Sequence, residues 1–255
     1  MTETILITGG ASGIGAATAK LAASRGHRVA INYRSRGTQA GAVVAHIVGQ
    51  GGRAIALPGD VTHEDDIARL FDEAGRALGP VTRLVNSAGI GGGIHRVQDF
   101  DEASLARLFA VNVTGLMLCC REAARRMSTR RSGMGGVIVN VSSMAATIGG
   151  RPGKSHYAAS KAAVDAFTVG FAKDVAQEGI RVNAVRPGVV LTEMTEDGLK
   201  DSANRVAIET TIAMGRVGQA SEIATAILWL LSDEASFVSG ATLDASGGGF
   251  VFGAR

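Results

Sequence analysis

The sequence predicts an α/β protein: a doubly wound parallel sheet of about seven strands with helices on both faces. Short runs rich in Val, Ile and Leu alternate along the chain with longer segments of helical apolar periodicity. The first of these runs ends in a glycine-rich turn, and a helical pattern follows it. The 255 residues show neither a repeat nor a linker, so we expect residues 1–255 to form one domain with right-handed crossovers.

The predicted strands and helices follow one another in simple alternation. Strands are predicted at residues 5–7, 28–33, 53–57, 83–85, 137–141, 180–185 and 242–244. Helices are predicted at residues 16–25, 38–50, 65–78, 101–131, 157–177 and 220–231. Open parallel sheets bind ligands in the crevice beyond the carboxyl ends of their strands. The residues that follow each strand are therefore the candidates for a binding site.

Composition and charge argue against several classes of function. Lys and Arg total 26 against 23 Asp and Glu, and a net charge of +3 is too small and too evenly spread to indicate a nucleic-acid partner. No apolar run reaches the roughly 18 residues of a membrane helix, and the polar N-terminus argues against a signal peptide. Cys119 and Cys120 lie in an apolar run, which indicates core residues and not a disulfide or a metal site. We expect a cytoplasmic protein without a bound metal.

The turn after the first strand reads TGGASGIG at residues 8–15. A glycine turn between a strand and a helix is the context in which dinucleotides bind. Gly9 permits the tight turn, Gly13 lets the backbone approach a pyrophosphate, and Gly15 lets the helix pack on the strand. The helix N-terminus then offers free N–H groups and a positive dipole end to the phosphates. This segment predicts nucleotide binding.

The end of the second strand bears on which dinucleotide binds. NAD-preferring sites carry an acidic residue about 20 residues beyond the glycines, where it bonds the ribose hydroxyls. Residues 32–36 read NYRSR, which offers two guanidinium groups and no carboxylate. Because an Arg can hold a 2′-phosphate through charge-assisted hydrogen bonds, the sequence favours NADP, with NAD possible. Alternatively, Arg34 and Arg36 are solvated loop charges, an interpretation that fits Arg36 better.

Three polar residues along the middle of the chain each have two interpretations. Asp60 either bonds an adenine amino group or caps the following helix. Asn86 either lies beside a ribose or locks neighbouring strands through bonds to their backbone. Asn112, between two valines, either bends its helix by holding a water against a main-chain carbonyl or has a purely structural role.

Tyr157 and Lys161 are four residues apart in a segment of good helix formers, which places both side chains on one helix face. A phenol with a pKa of about 10 is a poor base near neutral pH. A nearby ammonium favours the phenolate and lowers that pKa, so the pair predicts a proton donor and acceptor. Because Tyr and Lys also meet at this spacing by chance, the prediction depends on the other motifs.

The chain resembles the short-chain dehydrogenase/reductase family over residues 5–248. The matching segments are TGGASGIG at 8–15, DV at 60–61, NSAG at 86–89, the Asn112 helix, NVSS at 140–143, YAASK at 157–161 and RPG at 186–188. The resemblance implies a Rossmann-type NAD(P)-binding domain with a catalytic tetrad of Asn112, Ser143, Tyr157 and Lys161. In that family the Tyr is the general acid and base, and the Ser holds the substrate oxygen. The Lys binds the nicotinamide ribose and lowers the Tyr pKa, while the Asn anchors a water on the proton path. The loop before the Tyr is longer by one residue than in many members, which leaves Ser142 as an alternative to Ser143.

The same resemblance implies a set of cofactor contacts along the crevice. They are Gly9, Ser12, Gly13, Ile14, Gly15, Tyr33, Arg34, Ser35, Asp60, Val61, Asn86, Ser87, Ala88, Gly89, Tyr157, Lys161, Pro187, Gly188, Val190 and Thr192. Val190 and Thr192 are expected against the nicotinamide carboxamide.

Two positions depart from the family. Ser87 stands where members commonly have a second Asn, and Ser12 stands where many NADP-using members have a basic residue. The NADP prediction therefore rests on Arg34.

Residues 193–214 lie where the family has its substrate lid, and their polar, poorly periodic sequence is typical of a mobile segment. His95, His156 and Met194 either line the substrate pocket or are surface and packing residues. Family members are usually homotetramers or homodimers that associate through the two long helices and the C-terminal segment. The apolar ending at residues 250–252 fits either a subunit contact or packing on the lid.

The expected function is that of an NADP-dependent oxidoreductase, which interconverts the carbonyl and alcohol forms of a small molecule by hydride transfer. The lid sequence does not specify the substrate. An alternative from another class is a catalytically silent nucleotide-sensing protein on the same fold, because a fold does not determine function. An isomerase or lyase that reuses the cofactor is a third hypothesis. The presence of Ser143, Tyr157 and Lys161 together favours the enzyme.

Overall fold

A computed structural model describes residues 3–250 and confirms the predicted α/β class. Seven parallel strands form the central sheet in the order β3-β2-β1-β4-β5-β6-β9. Their bounds are β1 Thr4–Thr8, β2 Arg28–Tyr33, β3 Arg53–Pro58, β4 Val81–Asn86, β5 Gly136–Val141, β6 Ile180–Pro187 and β9 Thr242–Ala245. Two short strands, β7 Val190–Leu191 and β8 Gly218–Gln219, pair separately.

Helices cover both faces of this sheet, as the sequence predicts. They are α1 Gly13–Ser24, α2 Gly37–Gly49, α3 Glu64–Leu78, α4 Glu102–Phe109, α5 Leu116–Met127, α6 Ala145–Ile148, α7 Ser155–Val175, α8 Glu196–Lys200, α9 Ser202–Glu209 and α10 Ala220–Leu231. Single 3₁₀ turns lie at Val97–Asp99, Thr129–Arg131, Ala176–Glu178 and Asp233–Ala235. Among residues 3–250, the long predicted helices therefore lie within a few residues of their expected bounds, apart from the one that includes Asn112.

Strand β1 shows how the sequence produces the two layers of core. Successive side chains of a strand point to opposite faces of the sheet. Ile5 and Ile7 accordingly pack with α1, α2 and α10, whereas Leu6 packs with α3, α5 and α7. All three side chains are fully buried. A strand that is apolar at every central position is what a sheet covered on both faces requires.

The strand order places a crevice beyond the carboxyl ends of β1 and β4. The chain proceeds from β1 through β2 to β3 on one side, and from β4 through β5 to β6 on the other. The crevice opens where the direction reverses, which is where open α/β sheets bind ligands. Thr8 fixes the two turns next to it, because its hydroxyl accepts the N–H groups of Ser87 and Ala88 at 3.2 Å each.

The helix predicted over residues 101–131 differs from the expectation in its middle and at its end. It consists of α4, a π-helical segment Ala110–Gly115, and α5, which ends at Met127. Asn112 lies in the π-helical segment, so the predicted local distortion is present as a widened turn. Gly115 lies at the end of this segment, where a Cβ would stand 2.7 Å from the Val61 carbonyl oxygen. The absence of a side chain at Gly115 therefore lets the helix pack closely on the residues after β3.

The segment predicted as a polar, irregular lid contains ordered secondary structure. Helices α8 and α9 lie within residues 193–214, and Leu199, Ile208, Ile212 and Val217 form a small apolar cluster of their own. Because α8 and α9 are short, their apolar residues are too few to show helical periodicity in the sequence. This explains why the helices were not predicted.

Among residues 3–250, one helical segment is long and apolar enough to cross a membrane by length and composition, whereas the sequence analysis expected none. It is Glu102–Met127, with a mean hydropathy of 1.6 over its apolar window. The buried side chains of its second half pack into the core beneath the sheet. A core helix meets the same criterion, so this segment is weak grounds for a membrane span.

Candidate active site

The crevice beyond the sheet has a volume of about 550 Å³ and brings most of the predicted site residues together. Ser143 and all but two of the predicted cofactor residues line it, the candidate catalytic residues Tyr157 and Lys161 among them. Gly15, Asn86 and Asn112 lie outside the lining. The crevice also contains residues that the sequence did not single out: Ala11, Asn32, Gly59, Ile90, Gly91, Arg107, Val111, Val141, Glu193 and Thr195.

The glycine turn forms the floor of the crevice. Gly9 has a φ of +65°, and a Cβ there would stand 2.8 Å from the Ala88 Cα, so a larger residue would collide with the backbone after β4. Gly15 does not line the crevice, but a Cβ there would stand 2.4 Å from the Gly9 carbonyl oxygen, so the packing of the turn requires a glycine at this position. Ser12 makes no side-chain cap bond to any described residue, and the first turn of α1 holds no acidic residue. This bare helix N-terminus fits a phosphate group.

Asp60 is held at the end of β3 between two guanidinium groups. Its Oδ1 accepts hydrogen bonds from the Thr62 N–H at 3.0 Å and the Thr62 hydroxyl at 2.8 Å. Its Oδ2 lies 3.6 Å from Arg34 Nη1 and 3.5 Å from Arg107 Nη2. Helix α3 is preceded by His63 as its N-cap residue, so Asp60 does not cap that helix. Arg107 was missed because it projects from α4, far along the chain from β3.

Asn86 lies beneath the crevice and links two strands to α7. Its Nδ2 donates to Asn140 Oδ1 at 2.9 Å, and Asn140 Nδ2 donates to Thr168 Oγ1 at 3.0 Å. The side chain is 2% exposed. Asn86 therefore locks neighbouring strands as one interpretation expected, although it does so through side chains and not through backbone.

Asn112 is fully buried and fixes the segment after β4. Its Oδ1 accepts the Ile90 N–H at 2.9 Å, and its Nδ2 donates to the Ile90 carbonyl at 3.0 Å and to Ser160 Oγ at 3.2 Å. Both polar atoms are thus satisfied by protein groups, as a buried amide requires. These bonds join Ile90, which lines the crevice, to Asn112, and Asn112 to α7 through Ser160.

Tyr157 and Lys161 share one face of α7, as their spacing predicts. The Lys161 Nζ lies 5.9 Å from the centre of the Tyr157 ring and donates to the Val141 carbonyl at 2.9 Å. The Tyr157 side chain forms a hydrogen bond with Ser143. The Ser143 Oγ also accepts the Ala145 N–H at 3.1 Å. The three candidate catalytic side chains therefore meet in the crevice.

The protonation of this pair differs from the expectation. Burial raises the pKa of Tyr157, and the hydrogen bond with Ser143 only partly opposes that rise. Burial also lowers the pKa of Lys161 to about 8, against the opposing charge of Asp165. The net shift of the Tyr157 pKa is therefore upward, opposite to the expectation, because the cost of burying the phenolate dominates. The Lys161 ammonium donates to the Val141 carbonyl.

Ser142 and Ser143 have different environments, which separates the two alternatives. Ser142 is 3% exposed and donates its hydroxyl to the Lys161 carbonyl at 3.1 Å, along the side of α7. Ser143 instead bonds Tyr157. The geometry favours a structural hydroxyl at Ser142 and a reacting one at Ser143.

We expect Ser143→Ala to lower kcat for the catalysed reaction by about 100-fold, the lower end of the range for a group that assists proton transfer. Ser142→Ala is the matched control and should change kcat by less than about 3-fold, with a lower melting temperature from the lost buried hydrogen bond. Steady-state kinetics and thermal denaturation of both variants check this. A larger kcat loss for Ser142→Ala than for Ser143→Ala would reverse the assignment.

The three residues left open as pocket or packing residues have different positions. Met194 lines the crevice. His156 is 6% exposed and contacts the rings of His95 and Phe100, with ring centres 5.9 Å and 5.0 Å away.

The buried Cys119 and Cys120 belong to the core, and burial raises the pKa of Cys119 to about 12. Within residues 3–250, no group of three or more His, Cys, Asp or Glu side chains is arranged to hold a metal ion.

Comparisons with known proteins identify relatives over nearly the whole chain. A family model described as enoyl-(acyl carrier protein) reductase matches residues 9–249. The uncharacterized oxidoreductase YgfF of Escherichia coli (strain K12) is 44% identical over 95% of this chain and 98% of its own length. The 3beta-hydroxysteroid dehydrogenase 1 of Eggerthella lenta is 39% identical over 98% of this chain and 97% of its own.

A solved short-chain dehydrogenase/reductase from Serratia marcescens has the same fold. It superimposes with a TM-score of 0.89 at 32% identity, and the match covers 96% of this chain and 97% of that one. Likeness of this extent in both sequence and structure goes beyond a shared fold. The chain belongs to the short-chain dehydrogenase/reductase family, whose members are oxidoreductases.

Proposed function

We propose that this protein is an NADP-dependent oxidoreductase that interconverts a carbonyl and an alcohol. The observation that carries the proposal is that Ser143, Tyr157 and Lys161 line the same crevice as the bare N-terminus of α1. A nucleotide bound along the glycine turn would extend from that helix end toward Tyr157. We also propose that residues 1–255 form a single NAD(P)-binding domain, with residues 193–214 as its substrate lid.

The residues of the crevice fit a dinucleotide. The α1 N-terminus and the glycine turn suit the pyrophosphate, because backbone N–H groups and a positive dipole end meet negative charge there. The small residues after β4 leave the backbone open to a ribose. Pro187, Gly188, Val190 and Thr192 line the end of the crevice next to the lid, where the nicotinamide would lie.

When bound, the nicotinamide supplies a hydride to the substrate carbonyl carbon, or accepts one in the reverse direction. Tyr157 donates its hydroxyl proton to the substrate oxygen in reduction and takes it back in oxidation. Because burial raises its pKa, the phenol is protonated near neutral pH and ready to donate. Ser143 binds the same oxygen. Lys161, with a pKa of about 8, is mostly charged at neutral pH and stabilises the phenolate that forms.

The preference for NADP rests on the charges at the adenosine end of the crevice. Three arginines, Arg34, Arg36 and Arg107, line this end with the single carboxylate of Asp60. The negative charge of Asp60 can neutralise one arginine, so a net positive charge remains at this end of the crevice. A dianionic 2′-phosphate would use this excess, whereas the hydroxyls of NAD would not.

Arg34→Gln should raise the Kd for NADPH by about 10- to 100-fold, since a hydrogen bond to a charged group contributes roughly 1.5–3 kcal/mol. The Kd for NADH should change by less than about 3-fold. Arg53→Gln is the matched control, because Arg53 is exposed at the start of β3 and lies outside the crevice lining, and it should change either Kd less than about 3-fold. Titration calorimetry with 2′,5′-ADP and 5′-ADP measures the effect without turnover. Equal losses for the two nucleotides in Arg34→Gln would contradict the assignment.

A test against a carbonyl panel separates the proposed enzyme from the catalytically silent nucleotide-sensing protein. The wild type should oxidise NADPH in the presence of ketones and aldehydes, and reduce NADP in the presence of the matching alcohols. Tight NADPH binding without turnover of any of a chemically broad set of carbonyls would favour the sensor.

We further propose a cytoplasmic homotetramer or homodimer that assembles through α5 and α7. The stacked rings of Phe167 and Phe171, with centres 5.3 Å apart, line a shallow hollow between these helices. The predicted contact at residues 250–252 is described only at Phe250. That residue forms a bridge with Ile212, and its ring lies 6.0 Å from the Arg151 guanidinium, so it packs on the lid side of its own chain. Val251 and Phe252 lie outside the described residues.

A further inference from the structure

Three hydrogen bonds join the glycine-rich loop after β4 to the residues just before Tyr157. His156 Nε2 bonds the Gly92 carbonyl at 3.0 Å, and Lys154 Nζ donates to the Gly91 carbonyl at 3.1 Å. The His95 N–H donates to the Gly153 carbonyl at 3.1 Å. Two side chains and one backbone group thus fasten residues 91–95 to residues 153–156. None of these bonds belongs to the proton transfer or the nucleotide site.

The bond from His156 is a buried and specific contact. The side chain is 6% exposed, with the Phe100 ring at 5.0 Å and edge-on to it. Because a carbonyl oxygen can only accept a hydrogen bond, Nε2 carries a proton. Nδ1 is buried without a hydrogen-bond partner among residues 3–250. The imidazole therefore acts as a donor aimed at a single carbonyl.

The glycine loop is shaped to receive this contact. Gly92 has a φ of +67°, and a Cβ there would lie 2.9 Å from His156 Nε2, so the close approach requires a glycine. On its other side the loop meets the lid, because a Cβ on Gly91 would lie 3.8 Å from Met194 Sδ. Gly91 and Met194 both line the crevice, at its substrate end. The loop is therefore a wall between the catalytic helix and the lid.

We propose that His156 is a positioning residue that fixes this loop as one wall of the substrate site. His156 and Tyr157 are consecutive on α7, so their side chains leave the helix about 100° apart. One side chain holds the wall while the other faces the reacting carbonyl. The distance between wall and proton donor is thereby set by one residue step along the helix, a rise of about 1.5 Å. This inference rests on the proposed function, in that the wall contacts the carbonyl substrate and not the nucleotide.

The test compares two substitutions that keep the size of the side chain. His156→Phe keeps a ring against Phe100 but removes the donor, and should raise the KM for the carbonyl substrate by about 3- to 10-fold, the value of one hydrogen bond. kcat and the Kd for NADPH should each change by less than about 3-fold. His156→Gln restores an N–H donor and should return the KM to within about 3-fold of the wild type. His46→Phe, on the exposed side of α2, is the matched control and should leave all three constants unchanged.

Hydrogen–deuterium exchange provides a readout that does not depend on turnover. Amides of residues 91–95 should exchange faster in His156→Phe than in the wild type, and His156→Gln should reverse the change. Lys154→Met removes the other side-chain donor to the loop and should raise both the exchange rate and the KM. Unchanged exchange and KM in His156→Phe and Lys154→Met, or a His156→Gln variant that behaves like His156→Phe, would overturn the proposal. If the wild type turns over no carbonyl, the proposed function fails. The exchange rate of residues 91–95 then tests by itself whether His156 fixes the loop.

Discussion

Tyr157→Phe is expected to lower kcat for carbonyl reduction by about 1,000-fold while leaving the Kd for NADPH within about 3-fold of the wild type. The substitution deletes one oxygen and keeps the ring that lies 5.9 Å from Lys161 Nζ. General acid catalysis typically contributes between 100- and 10,000-fold, and no other hydroxyl in the crevice bonds Ser143 in the described structure. Single-turnover measurements of NADPH oxidation, with nucleotide binding followed by fluorescence, separate the loss of chemistry from a loss of cofactor.

The chain offers a matched control for this substitution, because its second tyrosine also lines the crevice. Tyr33 ends β2, at the adenosine end, where no proton is transferred. Tyr33→Phe should therefore change kcat by less than about 3-fold. A Tyr157→Phe variant that keeps more than a tenth of the wild-type kcat would show that another group supplies the proton.

The elements that sequence reasoning predicted well share a physical property: each is determined by neighbours in sequence. Strand β1 is apolar at every central position because helices cover both faces of the sheet, and that pattern is visible in the sequence alone. The glycine turn is local in part, since Gly15 is required by the Gly9 carbonyl within the turn, whereas Gly9 also avoids the Ala88 backbone after β4. Spacing along one helix likewise placed Tyr157 and Lys161 on a common face.

What the sequence did not show depends on contacts between distant segments. Arg107 reaches Asp60 only because α4 folds over the end of β3, and an exposed helix arginine has no distinguishing local signal. The sequence suggested a bend at Asn112, but no periodicity reveals the hydrogen bonds of Asn112 to Ile90. The raised pKa of Tyr157 is of the same kind, because burial is set by the surrounding fold and outweighs the pairing that spacing suggested.

Lys161→Met should make the stability of the protein less dependent on pH between 8 and 10.5. In the folded protein, burial lowers the pKa of Lys161 to about 8 from its ordinary value of 10.5. The unfolded chain therefore binds this proton more tightly, and folding with a charged Lys161 carries its full cost below pH 8. As the pH rises from 8 to 10.5 the cost disappears, and the free energy of unfolding of the wild type gains up to about 3 kcal/mol from this group.

The substitution removes both the buried charge and its titration, so the variant lacks that gain. The free energy of unfolding of Lys161→Met minus that of the wild type should be largest near pH 7 and fall by up to about 3 kcal/mol by pH 10.5. Urea denaturation at several pH values measures this difference. Lys20→Met serves as the control, because Lys20 lies on the exposed side of α1 and its curve should run parallel to that of the wild type. If the difference in free energy of unfolding between Lys161→Met and the wild type stays constant across this range, burial does not lower the pKa of Lys161. Its proposed role in stabilising the phenolate of Tyr157 would then lose its electrostatic basis.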